Sequence, residues 1–264
     1  MLSEYASCKY ANHASNLGAL IADKLSHQYD VPAFIVDPVT TDEFIDVARI
    51  SGVPSIERKS RSHALNIKYC VRKAALKIGI DVKDTKFIVA HLGSGFSIAA
   101  VKGGEIIDVN DALLGMGPFS IQRAGSLPIS GILDKIFDNK KNRDEAEQLF
   151  SQGSGLKGYL RTNQFQEIEH RINDGDKNAK MIVDAMIYQI AKEIGGLHAT
   201  FAGETSALIL TGGLANSNYL IEKLNEYLNF IQPHIIYPDS FELESLAISV
   251  LNVLNSKDTA KDYV

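Results

Sequence analysis

Residues 86–109 read KFIVAHLGSGFSIAAVKGGEIIDV, and this segment carries the strongest β-sheet pattern in the chain. Three apolar runs are separated by two short glycine turns, the pattern of an antiparallel β-meander. It predicts strands over 86–91, 96–101 and 105–109. In the first turn, Gly93-Ser94-Gly95, two glycines let the backbone approach a ligand closely and point N–H groups at it, which suits a phosphate. Turns of this composition are also common without any ligand, so both interpretations stand at this point.

Helical and strand patterns alternate along the rest of the chain, which is typical of an α/β fold. Apolar residues at spacings of three and four predict the helices, and short apolar runs predict the strands. A segment rich in glycine and proline, 111–128, is predicted to be a long loop. The predicted helices span 14–27, 42–50, 63–79, 176–202, 216–229 and 241–254, and the further strands span 33–37, 207–210 and 234–237.

Composition excludes several classes of function. The 264 residues carry a net charge of −5, so bulk charge does not favour nucleic acid or an anionic membrane as a partner. No stretch approaches the ~18 uninterrupted apolar residues of a membrane span, and the N-terminus lacks the pattern of a signal peptide. Two cysteines, Cys8 and Cys70, are too few for a disulfide framework. We therefore expect a cytoplasmic protein that binds neither nucleic acid nor membrane.

A second glycine loop lies near the C-terminus, in Leu210-Thr211-Gly212-Gly213. It joins a predicted buried strand to a helix whose start is marked by Asn216 and Ser217. A helix N-terminus of this kind presents free N–H groups to an anion or a nucleotide. Each loop is a weak signal by itself. Together, a glycine turn inside a hairpin and a strand–glycine–helix loop near the C-terminus are typical of actin- and hexokinase-like folds, where they bracket a nucleotide.

At this point the chain resembles a known family. His91-Leu92-Gly93-Ser94-Gly95-Phe96-Ser97 is similar to the second phosphate motif of the acetate and butyrate kinase family, and Leu210–Ala215 to its adenosine motif. Further motifs resemble the butyrate kinase branch in particular, and they follow in register over nearly the whole chain. They are His13–Gly18, Phe34–Pro38, Ala48–Gly52, Glu57–Ser60, His63–Asn66 and Gly117–Ser120 with Arg123.

The resemblance implies an α/β, actin-like (ribonuclease H-like) two-domain kinase fold. Residues 1–61 would be an incomplete first domain on the side of the acyl substrate, 62–240 a complete nucleotide-binding domain, and 241–264 a helix that returns to the first domain. The implied reaction is butyrate plus ATP to butyryl phosphate plus ADP, with Mg²⁺. Partners implied in this way are a short-chain carboxylate or acyl phosphate and a second copy of the chain in a homodimer.

The resemblance also assigns catalytic residues. Arg123 would stabilise the phosphoryl charge through its fork of donors. His91 and His63 would donate hydrogen bonds to phosphoryl oxygens. Asp37 resembles a family aspartate near magnesium and phosphate, although a carboxylate at that place also shapes a turn before Pro38.

Binding residues are implied as well. Glu244 resembles the glutamate that helps to hold magnesium, with Glu242 left open as an alternative register. His13 and Asn16 would line the acyl pocket. The nucleotide would be bound by Gly93, Ser94, Gly95, Thr211, Gly212 and Gly213.

Three departures leave an alternative function open. Members of the family begin with an Asn-x-Gly-Ser phosphate loop and a segment with a catalytic arginine, and neither is found in this chain. Residues 161–166, Arg-Thr-Asn-Gln-Phe-Gln, stand where the family has Gly-Thr-Asn-Asp-x-Arg, and Arg123–Pro128 differs from the usual Arg-Ser-Gly-Gly-Leu-Pro. The alternative to a kinase is therefore an inactive fragment that still binds nucleotide or a partner chain, such as a separate N-terminal piece.

Overall fold

The computed structural model describes residues 2–9 and 14–261. The helices are α1 (Leu2–Ala6), α2 (Asn16–Tyr29), α3 (Asp46–Arg49), α4 (Ala64–Ile78), α5 (Ile129–Phe137), α6 (Arg143–Gln152), α7 (Gly155–Leu160), α8 (Phe165–Asn173), α9 (Lys177–Thr200), α10 (Asn218–Leu228) and α11 (Glu242–Leu254). The strands are β1 (Lys86–Leu92), β2 (Phe96–Lys102), β3 (Glu105–Val109), β4 (Ala207–Gly212) and β5 (His234–Pro238). Short 3-10 turns cover Val82–Asp84 and Gly213–Asn216.

One five-stranded sheet organises the chain, with the strand order β3-β2-β1-β4-β5. The meander β1-β2-β3 is antiparallel, as predicted, while β4 and β5 add to it in parallel with β1. β1 lies at the centre, and six of its seven residues are buried. Because helices cover both faces of such a sheet, its central strands are apolar on both sides rather than alternating.

Two hydrophobic clusters sandwich the sheet. Ile88, Ala90 and Leu92 face one layer, which contains α9 and α10, and Phe87 and Val89 face the other, which contains α4. The long apolar stripe predicted over 176–202 is confirmed as the buried face of α9. The predicted end of the helix at Gly79 is also confirmed, since Gly79 is left-handed and its N–H closes the last turn of α4.

The N-terminal segment corrects two predictions. Residues 33–37 form no strand, because φ at Asp37 is +37° and no strand of the described sheet pairs with them. The predicted helix over 42–50 shrinks to α3, since the residues just before it are bound to β3 instead. The N–H of Ile45 donates to Ile107 O at 3.2 Å, and the N–H of Ile106 donates to the Glu43 carboxylate at 2.8 Å.

The packing does not break at residue 61, where the sequence places a domain boundary. Phe44 and Ala48 lie in the same buried cluster as α4 and the sheet. At the other end of the chain, α11 packs on α4, and the Ser245 hydroxyl donates to Leu65 O at 3.2 Å. The division into two domains therefore stays a prediction. Throughout the described residues, every helix is too short or too polar to cross a lipid bilayer.

Candidate active site

A cavity of about 580 Å³ opens beside the turn that joins β1 and β2, and it brings together side chains that lie far apart in the sequence. Five predicted site residues line it: Asn16, Asp37, His63, Ser94 and Arg123. His13 lies outside the described residues. Asn16 begins α2 and is almost fully buried.

The long loop 111–128 is attached to the glycine turn through one hydroxyl. Leu92 pairs with Phe96, so Gly93, Ser94 and Gly95 form the whole turn. The buried Ser120 hydroxyl donates to Ser94 O at 2.7 Å and lies 3.3 Å from Arg123 N, whose hydrogen it accepts. This contact holds the backbone of Arg123 next to the turn.

The guanidinium of Arg123 lies in the space that a side chain at Gly95 would occupy. A Cβ on Gly95 would be 2.5 Å from the guanidinium carbon. Arg123 Nη1 donates to Ala112 O, which orients the group. Burial lowers the pKa of Arg123, with Asp111 opposing that shift, and an arginine starts so far above neutral pH that its charge persists. A glycine is therefore required at position 95, because any side chain there would displace the guanidinium of Arg123.

Two histidines stack at the end of β1. The rings of His63 and His91 are 4.0 Å apart and 16° from parallel. Ser97 Oγ is 2.8 Å from His63 Nδ1. Burial, and to a lesser degree the neighbouring His63, hold the pKa of His91 well below its ordinary value. His91 is thus a neutral ring beside the glycine turn.

Glu242, which the sequence analysis left open as an alternative to Glu244, is the glutamate that lines the cavity. Tyr69 donates its hydroxyl hydrogen to Glu244, and burial, followed by this bond, raises the pKa of Tyr69 to about 12. Glu242, and not Glu244, lines the cavity. Asp37 also lines the cavity, and its carboxylate is 3.5 Å from Lys68 Nζ.

Magnesium commonly takes one or two protein carboxylates and completes its shell with phosphates and water. Asp37 and Glu242 fit that limited role. Within the described ranges, no three His, Cys, Asp or Glu side chains cluster as a metal site of their own.

The two glycines of the second loop have different surroundings: Gly212 is tightly packed and Gly213 is open. Gly212 has φ +89°, and a Cβ there would lie 2.5 Å from Leu92 O, so this glycine is required by the close approach of two strands. Gly213 has no atom within 4 Å of the place of its Cβ. The Thr211 side chain is fully buried and donates to Asp239 O at 3.1 Å, so its hydroxyl faces the interior. Of the predicted nucleotide residues in this loop, Gly213 is the exposed one.

One N–H group at the start of α10 is already bonded to a side chain. Ser217 caps the helix by accepting from Leu220 N at 3.0 Å, and its hydroxyl donates to Glu169 at 2.5 Å. A carboxylate already lies at this helix end. The 3-10 turn that begins at Gly213 separates β4 from α10, and within it Leu214 and Ala215 are buried while Gly213 and Asn216 are exposed.

One family departure has a visible backbone consequence. Arg161 stands where the family motif begins with glycine, and it adopts φ +66° at the end of α7. A non-glycine residue in this left-handed region costs about 1 kcal/mol. The chain therefore has a left-handed residue at a position where the motif that it resembles has glycine, the residue type that favours this conformation.

The sequence analysis includes Asn66 in the His63–Asn66 motif but assigns it no role, and the structure shows it to be a fully buried polar residue on α4. It lies 2.8 Å from His91 Nδ1 and 3.1 Å from Thr211 Oγ1, and it accepts a bond from Phe241 N at 2.9 Å. A signal was present: Asn66 shares the helical face of Cys70 and Ala74, which the apolar periodicity assigns to the core. An asparagine on such a face needs partners for its amide.

Comparisons with known proteins agree with this geometry. A model of the acetokinase family matches residues 55–238. A protein of Listeria welshimeri named "Probable butyrate kinase" is 45% identical over 263 residues, which cover 100% of this chain and 74% of that protein. "Probable butyrate kinase 2" of Caldanaerobacter subterraneus subsp. tengcongensis is 44% identical with the same coverage.

Solved structures show the same fold at low sequence identity. The acetate kinase of Porphyromonas gingivalis superposes with a TM-score of 0.81 at 20% identity, over 96% of this chain and 72% of that one. A propionate kinase of Francisella tularensis gives a TM-score of 0.77 at 21% identity, over 92% and 71% of the two chains. The predicted actin-like fold is thereby confirmed, in a partial form.

Adding a methyl group at Gly95 is expected to displace Arg123. Gly95→Ala should lower the free energy of unfolding by about 1–2 kcal/mol, because the guanidinium must leave its place and its bond to Ala112 O. In an Arg123→Ala background the same change should cost less than ~0.5 kcal/mol. Urea titrations of the four variants measure this coupling.

Gly213→Ala is the matched control for that cycle, since its Cβ meets open space, and its effect should stay within about 0.5 kcal/mol in both backgrounds. Equal costs of Gly95→Ala with and without Arg123 would contradict the contact.

Proposed function

The chain belongs to the acetokinase family, and on that basis we propose that its cavity transfers a phosphoryl group between ATP and a short-chain carboxylate, with butyrate as the acid. Members of this family are phosphotransferases that act on a carboxyl group. The observation that carries the proposal is the convergence of Arg123 and the stacked pair His63–His91 on one glycine turn. Butyrate as the acid is supported by the names of the relatives.

The chemistry needs charge stabilisation and not a strong base. A carboxylate with an ordinary pKa near ~4 is already ionised at neutral pH and attacks directly. The difficulty is to bring two anions together and to stabilise the oxygens of the phosphoryl group in flight. Arg123 supplies a positive fork, and the two histidines supply N–H donors. Because His91 is neutral, it donates a hydrogen bond to a phosphoryl oxygen without adding a positive charge that would bind the anionic product too tightly.

ATP is proposed to lie between the two glycine loops. Ser94 is the exposed residue of the first loop and would offer its backbone N–H to a phosphate oxygen, whereas the Gly93 N–H already donates to Gly95 O at 3.3 Å and Gly95 is buried. Gly213 leaves room for the nucleoside side. Asp37 and Glu242 would hold Mg²⁺ through the phosphates and water. When bound, the ion neutralises phosphate charge.

The acyl group is proposed to lie on the apolar wall of the same cavity. Phe34, Val36, Pro38, Leu65, Leu113 and Leu246 are among its lining residues. A short aliphatic chain gains ~0.8 kcal/mol for each buried CH₂, so such a wall favours butyrate over acetate. Asn16 would border this part of the cavity.

A second candidate function is supported by exposed apolar helix faces. On α2, Leu17 and Ile21 are each 58% exposed, and on α11 Leu243 is 83% exposed. Residues 33–37 likewise have the composition of a strand without pairing as one. The chain spans 74% of the length of the Listeria welshimeri and Caldanaerobacter relatives. The alternative is therefore a chain that binds nucleotide and becomes a kinase when a separate N-terminal piece covers these faces.

Replacing Gly213 tests the nucleotide site. Gly213→Val fills the open half of the loop with a branched side chain and should weaken ATP binding more than tenfold, or ~1.4 kcal/mol, in calorimetry. Gly52→Val is the control, since its Cβ also meets open space, and it should bind ATP as the unmodified chain does. Equal affinity of all three proteins would show that the loop is misassigned. Gly212→Val is unsuitable because its side chain would collide with Leu92.

The activity of the chain by itself tests the choice between the two functions. We expect slow formation of acyl phosphate, trapped with hydroxylamine, from ATP, Mg²⁺ and butyrate. Adding in trans the N-terminal segment of the Listeria welshimeri relative should raise both rate and solubility, because it would cover the exposed faces of α2 and α11. Turnover of the chain alone in the usual enzyme range of ~1–10³ s⁻¹ would contradict this expectation.

A further inference from the structure

The amide of Asn66 lies at the junction of three elements that form the site. It is fully buried on α4 and reaches the end of β1 at His91, the end of β4 at Thr211, and the start of α11 at Phe241. Its amide nitrogen contacts His91 and Thr211, and its amide oxygen contacts Phe241. Such a residue has its orientation determined by its partners.

A backbone group determines which way the amide points. The Phe241 N–H can only donate, so the atom that faces it at 2.9 Å must be the Asn66 oxygen. The NH₂ group then faces His91 Nδ1 at 2.8 Å and Thr211 Oγ1 at 3.1 Å. At the far end, Asp239 O can only accept, so the Thr211 hydroxyl gives it the hydrogen and keeps a lone pair for Asn66. The donor and the acceptor of each hydrogen bond from Phe241 to His91 and to Asp239 are thereby determined.

This polarity determines the tautomer of His91. Since Asn66 donates to Nδ1, that nitrogen carries no hydrogen, and the proton of the neutral ring is on Nε2. The titratable groups that face the pair do not disturb this state. His63 stacks on His91, and the Cys70 thiol, whose pKa burial raises to about 11, stays protonated beside the Asn66 oxygen.

The protonated nitrogen is directed at the glycine turn. A Cβ on Gly93 would lie 3.2 Å from His91 Nε2. We infer that Asn66 is a positioning residue that keeps His91 as the Nε2–H tautomer, a hydrogen-bond donor aimed at the glycine turn. The assignment of the tautomer follows from the hydrogen-bond contacts of Asn66 and Thr211. Its use, donation to a phosphoryl oxygen, rests on the proposed function.

Asn66→Asp is the sharpest test because it keeps the shape and replaces the NH₂ donor with a carboxylate oxygen. The carboxylate still accepts from Phe241 N, but it cannot donate to His91 Nδ1. The proton therefore moves to Nδ1 and leaves Nε2 bare, as the aspartate of a serine protease triad does to its histidine. The readout is the ¹⁵N spectrum of the full chain with labelled histidine. The chain has seven histidines, and His91→Gln identifies the signals of His91.

The expected spectrum of the unmodified chain shows His91 with hydrogen on Nε2 and none on Nδ1. In Asn66→Asp, Nδ1 should become protonated. A protonated Nδ1 in the unmodified chain, or an unchanged spectrum in the variant, would overturn the inference. If Asn66→Asp does not fold, Asn66→Ala replaces it, and there both tautomers should be populated because no donor remains.

Asn225→Asp is the matched control. Asn225 lies 2.6 Å from His234 Nδ1, so the same change is made beside a histidine on the surface, and the signals of His91 should not move. In the reconstituted kinase assay, Asn66→Asp should lower turnover at least tenfold while Asn225→Asp leaves it unchanged. A changed tautomer with unchanged turnover would overturn the role of His91 as donor and leave the tautomer assignment intact. A chain without kinase activity in any form would count against the proposed function alone.

Discussion

The parallel pairing of β1 with β4 is the constraint on which the site depends. In that register His91 lies opposite Thr211, so both strands end at the same edge of the sheet and their glycine loops emerge side by side. Ligands bind at this edge in open α/β sheets. The approach is so close that Gly212 must lack a side chain, since Leu92 occupies the space beside it. Arg123, His63 and Asn66 are then brought to the edge from outside the two strands.

The side chains next to the glycine turn include one charged group, the guanidinium of Arg123. The buried guanidinium of Arg123 and the neutral imidazole of His91 lie against the glycine turn, and the carboxylates Asp37 and Glu242 also line the cavity. Donors that are already oriented and poorly solvated stabilise developing charge without reorganisation. The chain as a whole is acidic, at −5, so the anionic substrates of the proposed reaction would be attracted by these local groups and not by the overall field.

Strong periodic signals made most of the sheet and its helices predictable. The meander, α4, α9 and both glycine loops follow from apolar spacing and from glycine, which report burial and turns directly. The prediction for 33–37 was wrong because a strand also requires a partner, which an apolar run does not reveal. The role of Asn66 was missed because periodicity shows that a position is buried and not which hydrogen bonds its side chain makes. The choice between Glu242 and Glu244 needed the orientation of α11 on α4, which only the tertiary contacts determine.

Turnover of Arg123 variants tests the central claim, that this cavity stabilises a phosphoryl group in transfer, most directly. The measurement is acyl-phosphate formation from ATP and butyrate by the chain with the N-terminal segment of the Listeria welshimeri relative added in trans, together with ATP affinity. The account predicts that Arg123→Ala lowers turnover at least ~100-fold and ATP affinity by less than tenfold, because a cation aimed at charge in flight matters most in the transition state. Arg123→Lys should recover only part of the rate, since lysine lacks the planar fork. Near-normal turnover of Arg123→Ala would contradict the account.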